Sequence, residues 1–217
     1  WTITTRKAPI CNAGELDIVA TQVAVPVPEM LFGNNRLTLR HDSGLALELN
    51  AVDALKGVDA TAAAAEGIKV AYAEDWSRKS AANHDKIKDV VKPYDWTYTT
   101  SYAGTLVDSA GGSRFAFEPS EEGVDIERLK LQEPILFYEE MVLFEDELAD
   151  NGTAMLTARV RVMPSCFFIL MRFFLRVDDV LFRINDTRIY HEYRKPNLIR
   201  EFSSREAPFA YVRQVRR

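Results

Sequence analysis

The feature that most constrains this chain is the stretch from Ile135 to Tyr193. There "ILFYEEMVLFEDEL", "TAMLTARVRVM", "SCFFILMRFFLRV" and "VLFRIN" follow one another with only short breaks such as "DNG" and "DD" between them. Runs rich in Val, Ile, Phe and Tyr, punctuated by turn-forming residues, are strands joined by hairpins. They predict an antiparallel meander. A chain of 217 residues suffices for one sizeable core and is short for two. The expected fold is therefore α+β: a single domain over residues 1–217 with a central, two-layer antiparallel β-sheet meander flanked by a few short helices.

The rest of the chain supplies the flanking elements. Asn12 with Glu15 three positions later is a capping box, and the apolar spacing of Leu16, Val19, Ala20 and Val23 predicts a helix from Ala13 to Ala24, ended by Pro26 and Pro28. "RLTLRH" and "LALELN" around Asp42-Ser43-Gly44 form a hairpin. Asn50 caps a short helix with Asp53 in its first turn. "ATAAAAEG" reads as a loop or frayed helix, "IKVAYAEDW" as strand-like, and Ser77 to Lys88 as an exposed loop. Asp125 caps another short helix, with Val124 ahead of it packing on Leu129 as a hydrophobic staple and Pro134 closing it. In "KPYDWTYTTSYAG", alternation places Tyr94, Trp96 and Tyr98 in the core and Asp95, Thr97 and Thr99 outside, with Tyr102 near the surface.

Asp178-Asp179, taken as a two-residue hairpin loop, sets a register in which Val177 faces Val180, Leu175 faces Phe182 and Phe173 faces Ile184. Those pairs would lie on the core face. The opposite face would then gather Arg172, Arg176 and Arg183 beside Phe174, a positive cluster open to a partner unless Glu139, Glu145 and Glu147 neutralise it.

Composition excludes several classes of function. Lys and Arg number 27 against 32 Asp and Glu, a net charge of −5 that offers no long-range attraction to nucleic acid or an anionic membrane. The longest apolar run, Cys166 to Met171, falls far short of the roughly 20 residues that span a bilayer. No signal peptide opens the chain, and Cys11 and Cys166 form neither a disulfide framework nor a zinc motif. The location expected is cytoplasmic, with the nucleus as a second compartment. The tripeptides at Asn151 and Asn185 match the glycosylation pattern by chance in that setting. His41, His84 and His191 share no spacing, and no phosphate loop or nucleophile motif appears, so no enzyme, cofactor or metal site is expected. Glu145, Asp146, Glu147 and Asp150 lack the spacing of a calcium loop and read as a solvated turn.

The blocks "PEMLFGNNRL", "LELNAVDAL", "KPYDWTYTTSYAGTL", "FYEEMVLFEDELADNG", "RVRVMPSCFFILMRFFLRVDDVLFRINDTRIYHEY" and "REFSSRE" together resemble the TIPRL family, the TOR signalling pathway regulator-like proteins, from Pro28 to Glu206. The chain looks like a fungal-like member, with an Ala-rich loop of its own after Asp59 and without the family's C-terminal extension. The resemblance implies a non-enzymatic, monomeric regulator in TOR signalling that binds the catalytic subunits of type 2A-like protein phosphatases, as an inhibitor or an assembly factor. The alternative is an adaptor that engages other regulators of these phosphatases, such as the alpha-four-type protein. Carried over from the family, the partner-binding positions are Asp53, Val124, Ile184 and Asp186. The Arg172, Arg176 and Arg183 cluster is expected to dock the acidic-aromatic tail that the resemblance gives the phosphatase.

Overall fold

The computed structural model describes residues 1–58, 94–108 and 115–215. Among these, the elements in chain order are β1 (Thr2–Arg6), α1 (Ala13–Ala20), β2 (Met30–Leu31), β3 (Arg36–Arg40), β4 (Leu45–Asn50), α2 (Ala51–Lys56), β5 (Thr105–Asp108), α3 (Ile126–Lys130), β6 (Phe137–Asp146), β7 (Gly152–Val162), β8 (Cys166–Val177), β9 (Leu181–Glu192), β10 (Ile199–Pro208) and α4 (Phe209–Val215). The architecture is α+β, as the meander predicts. A six-stranded antiparallel sheet, β10-β9-β8-β7-β6-β2, carries the meander, and a four-stranded sheet, β1-β3-β4-β5, forms the second layer.

Alternation explains which faces meet. Leu37, Leu39, Leu47 and Leu49 of the small sheet are fully buried, as are Phe144, Leu156, Phe173 and Leu175 of the large one, in one continuous core. Each such side chain contributes about 1.5–3 kcal/mol by leaving water. In the β6–β7 connection Leu148, Ala149 and Asp150 all take the left-handed conformation, at φ of 55°, 53° and 65°. The Asp146 carboxylate accepts from the Leu148 amide, and Asn151 Nδ2 donates to the carbonyls of Leu148 and Ala149, holding that turn. Gly152 follows at φ 154°, where a Cβ would overlap the Arg176 carbonyl oxygen.

The hairpin at residues 36–50 and the capped starts of α1, α2 and α3 stand where the sequence puts them. Asn12 and Glu15 complete their capping box, Asn50 Oδ1 accepts from the Asp53 amide, and Asp125 Oδ1 accepts from the Arg128 amide. Other expectations are corrected. Helix α1 stops at Ala20, because Thr21 caps it and Gln22 already turns back to Val19. The segment from Tyr94 to Gly104 is not an alternating strand: Tyr98 sits at φ 56°, so Thr97 and Thr100 are buried along with Trp96 and Tyr98. The Ala-rich stretch after Asp59, "IKVAYAEDW" and residues 77–88 lie outside the described residues.

The main correction is the β8–β9 register. The loop has three residues, Asp178, Asp179 and Val180, with Asp179 at φ 60°, so Val177 pairs with Leu181, Phe174 with Ile184 and Arg172 with Asp186. A slip of one residue moves a whole strand's side chains to the other face. Ile184 therefore leaves the core face and Arg183 joins it.

Candidate partner-binding face

On the outer face of the large sheet, β8 and β9 place a carboxylate directly opposite a guanidinium. Arg172 Nε and Nη2 donate to Asp186 Oδ1 and Oδ2 at 2.7 and 2.8 Å, a bidentate fork. Hydrogen bonding to that carboxylate outweighs burial and holds the Arg172 guanidinium above its ordinary pKa. The Asp186 side chain is only 8 % exposed whereas that of Arg172 is 39 % exposed, so the acid is the buried anchor and the base the presented group. Arg188 Nη2 lies 3.9 Å from Asp186, and its Nη1 lies 3.9 Å from Glu201 on β10. The Arg176 Nε lies 2.8 Å from Asp178, though not aligned for a hydrogen bond.

Around this ion network the face is aromatic and partly exposed. Phe174 and Phe182 approach at 6.4 Å between ring centroids, and Phe209 at the start of α4 stacks on Phe182 at 5.2 Å and 8°. Ile184 stands between Phe174 and Arg205 in the ladder. Towards the far end of the same face, α3 is docked by Val124, which joins Met163, Cys166 and Tyr190 in a second apolar cluster with Leu129 against it. The Val124 amide also donates to Glu201 Oε1 at 2.6 Å. Glu201 thus ties the α3 dock to Arg188 and the ion network.

A family model, the TIP41-like family, matches residues 30–213. The chain belongs to the TIP41-like family. The TIP41-like protein of Rattus norvegicus is 44 % identical over 99 % of this chain and 78 % of its own length. The "Type 2A phosphatase activator TIP41" of Saccharomyces cerevisiae is 41 % identical over 98 % of this chain and 62 % of its own length, and the Schizosaccharomyces pombe protein of the same name 31 % over 96 % and 80 %.

Of the positions singled out in this TIP41-like sequence, the fold brings Val124, Arg172, Arg176, Ile184 and Asp186 to one face. It separates the other two. Arg183 lies on the inner face, where Nε and Nη2 bind Glu206 at 2.9 and 2.6 Å and Nη1 donates to Thr99. The three-arginine cluster is thereby dissolved into three ion pairs, with Asp186, Asp178 and Glu206; Glu139, Glu145 and Glu147 are not the acids involved. Asp53 belongs to the small layer, where Asn50, Thr105 and Lys56 all donate to it. Burial works against its charge, but those hydrogen bonds prevail and hold the carboxyl below its usual pKa. Sequence reasoning missed Arg188, Glu201, Phe182 and Phe209. A register read from Leu181 instead of Val180 would have turned Phe182, Ile184, Asp186 and Arg188 together onto the face of Arg172 and Phe174.

Inside the molecule, β9 presents polar groups where a core strand would carry aliphatics. Asn185 Nδ2 donates to the Thr100 carbonyl at 2.8 Å and Thr187 Oγ1 to that of Tyr102 at 3.1 Å, and from the neighbouring β10 Arg200 Nη1 donates to that of Ala103 at 3.1 Å. The Tyr102 hydroxyl donates in turn to the Glu48 carbonyl and meets Thr105 Oγ1 at 2.9 Å. Among the described residues no helix is long and apolar enough to cross a membrane.

Proposed function

We propose that this chain is a non-enzymatic regulator that binds the catalytic subunit of type 2A-like protein phosphatases within TOR signalling. The observation that carries this reading is membership of the TIP41-like family, two yeast relatives of which bear the name type 2A phosphatase activator. That word supports an assembly or activating role over inhibition. The docking surface is the outer face of the large sheet. Asp186 fixes the guanidinium plane of Arg172, whose remaining N–H groups then meet carboxylates or carbonyls of the phosphatase without having to be ordered at the moment of binding. Phe174, Phe182 and Ile184 supply the apolar area that a lasting contact needs.

A pull-down with purified catalytic subunit and no other protein tests the reading. Direct binding, weakened at least tenfold by Arg172→Ala, supports it. If the subunit is captured only when an alpha-four-type regulator is added, the chain is an adaptor instead. If Arg172→Ala and Ile184→Ala both bind like the parent, the phosphatase docks on another surface.

A further inference from the structure

On the outer face of the large sheet one cation is held in place without its hydrogen bonds being spent. Arg188, on β9, lies opposite Leu170 of β8 and Glu201 of β10 in the ladder. Its guanidinium stands between two carboxylates, 3.9 Å from Asp186 on one side and 3.9 Å from Glu201 on the other. That is close enough for charge to fix its position and too far for a hydrogen bond. None of its N–H donors is used in a hydrogen bond with the described residues, although the side chain is only 28 % exposed. The arginines around it differ. Arg172 donates twice to Asp186, Arg183 donates to Glu206 and Thr99, and Arg200 donates to the Ala103 carbonyl. A guanidinium that has lost much of its water and found no acceptor in the fold carries a cost that an acceptor on a partner recovers.

The acids beside Arg188 decide which acceptor that is. A carboxylate arriving at this guanidinium would come up against Asp186 and Glu201, and like charges brought together as water is expelled oppose binding strongly. Within the network the guanidinia of Arg172 and Arg188 already balance those two carboxylates, and Arg205, further along β10 opposite Ile184, takes no part in it. A main-chain carbonyl brings lone pairs without a charge and meets no such opposition. Arg200 shows the same contact within this fold, its Nη1 donating to the Ala103 carbonyl at 3.1 Å.

We infer that Arg188 donates to main-chain carbonyl oxygens of the phosphatase catalytic subunit, in a loop or at a helix C-terminus, where carbonyls are left unspent. It is then a contact residue of the docking face and not only a member of its ion network. Asp186 and Glu201 hold the guanidinium in place from both sides beforehand, so little has to be ordered when the partner arrives. The inference rests on the proposed docking of the catalytic subunit on this face and names the acceptor chemistry there.

The test is the affinity of purified catalytic subunit for the parent chain, Arg172→Ala, Arg188→Ala and Arg188→Lys, each at about 50 and about 300 mM salt. Arg188→Ala should lower affinity at least tenfold, as the loss of hydrogen bonds from a charged donor does. Arg188→Lys leaves a cation between the two acids but removes the planar fork, and should lower affinity about fivefold with the urea midpoint unchanged. Because the acceptor is uncharged, the ratio of each Arg188 variant to the parent should be the same at both salt concentrations. A ratio that shrinks with salt would mean a carboxylate acceptor, and an Arg188→Lys chain that binds like the parent would mean that charge alone suffices; either overturns the inference. Should Arg188→Ala fail to fold, Arg188→Lys decides alone. If the parent does not bind, or if Arg172→Ala and Ile184→Ala bind as it does, the docking reading fails and this inference with it. If Arg172→Ala weakens binding and Arg188→Lys does not, the inference alone fails.

Discussion

The two faces of the large sheet use the same strands for opposite ends. On the inner face of β8, Phe167, Ile169, Met171, Phe173, Leu175 and Val177 are all at most 2 % exposed, and nothing but packing fixes them. On the outer face the alternate positions Arg172, Phe174 and Arg176 are half-buried, and they are fixed by partners across the ladder or along the turn. The difference teaches that on β8 inner residues are chosen for volume and outer residues for pairing, so a substitution on this strand should reveal its face by what it damages.

The largest effect should come from the inner face. Phe173→Ala leaves a cavity against Phe144 in the fully buried core and should cost about 3–5 kcal/mol in urea unfolding. Binding of any partner to the fraction that remains folded should be unaffected. If instead it costs under about 1 kcal/mol, the two layers are not packed as described.

Asp186→Asn should do the reverse. Asn keeps one acceptor for Arg172 but not the charge, and because Arg172 is well exposed the loss of stability should be about 1–2 kcal/mol, below the figure for a fully buried pair. Capture of the phosphatase catalytic subunit should fall at least tenfold, since Arg172 is no longer held in plane. A fall in stability with unchanged capture would make the pair a structural device only.

Tyr102→Phe probes the join between the layers. It removes the hydroxyl that bonds Glu48 and Thr105, and should cost about 1 kcal/mol near neutral pH. Burial outweighs the Thr105 bond and pushes this phenol up to about 12. A raised folded-state value means the neutral form stabilises the fold below the unfolded pKa of about 10, and that this contribution is lost as pH rises from there towards 12. The gap between parent and variant should therefore narrow between pH 10 and 12 in denaturant titrations. A gap that stays constant across that range would place the phenol in water.

The smallest effect should come from Tyr190→Phe, under about 0.5 kcal/mol and as often stabilising as not. Its hydroxyl is buried without a hydrogen-bond partner among the described residues, so its removal relieves a desolvated group. A loss above about 2 kcal/mol would mean that the hydroxyl is bonded after all.

How far the sequence reveals this depends on which face is asked about. Strands, caps and the 36–50 hairpin were legible because apolar periodicity and capping residues act locally. Strands β1 and β10 were not, because "TITTR" and "IREFSSREAP" are edge strands with little to bury. The outer face was legible only up to its register. Val180 and Leu181 are both apolar, and nothing in "VDDVL" says which one closes the loop. The folded chain leaves Val180 42 % exposed and buries Leu181 to 8 %, and with that choice Asp186 changes from an unpaired rim carboxylate into the anchor of Arg172.

The polar grip of β9 and β10 on the segment from Thr99 to Ala103 has a further consequence. Parting the layers along that line would break hydrogen bonds but uncover little hydrocarbon, and it is uncovered area that makes an opening sensitive to denaturant. The Tyr102 amide, which donates to Thr100 Oγ1 in the segment whose carbonyls are held there, should thus exchange with solvent at a rate that urea barely changes at low concentration, while amides beside Phe173 and Leu49 exchange only through openings that urea promotes steeply. The molecule can loosen along its wettable line while its oily interior stays shut.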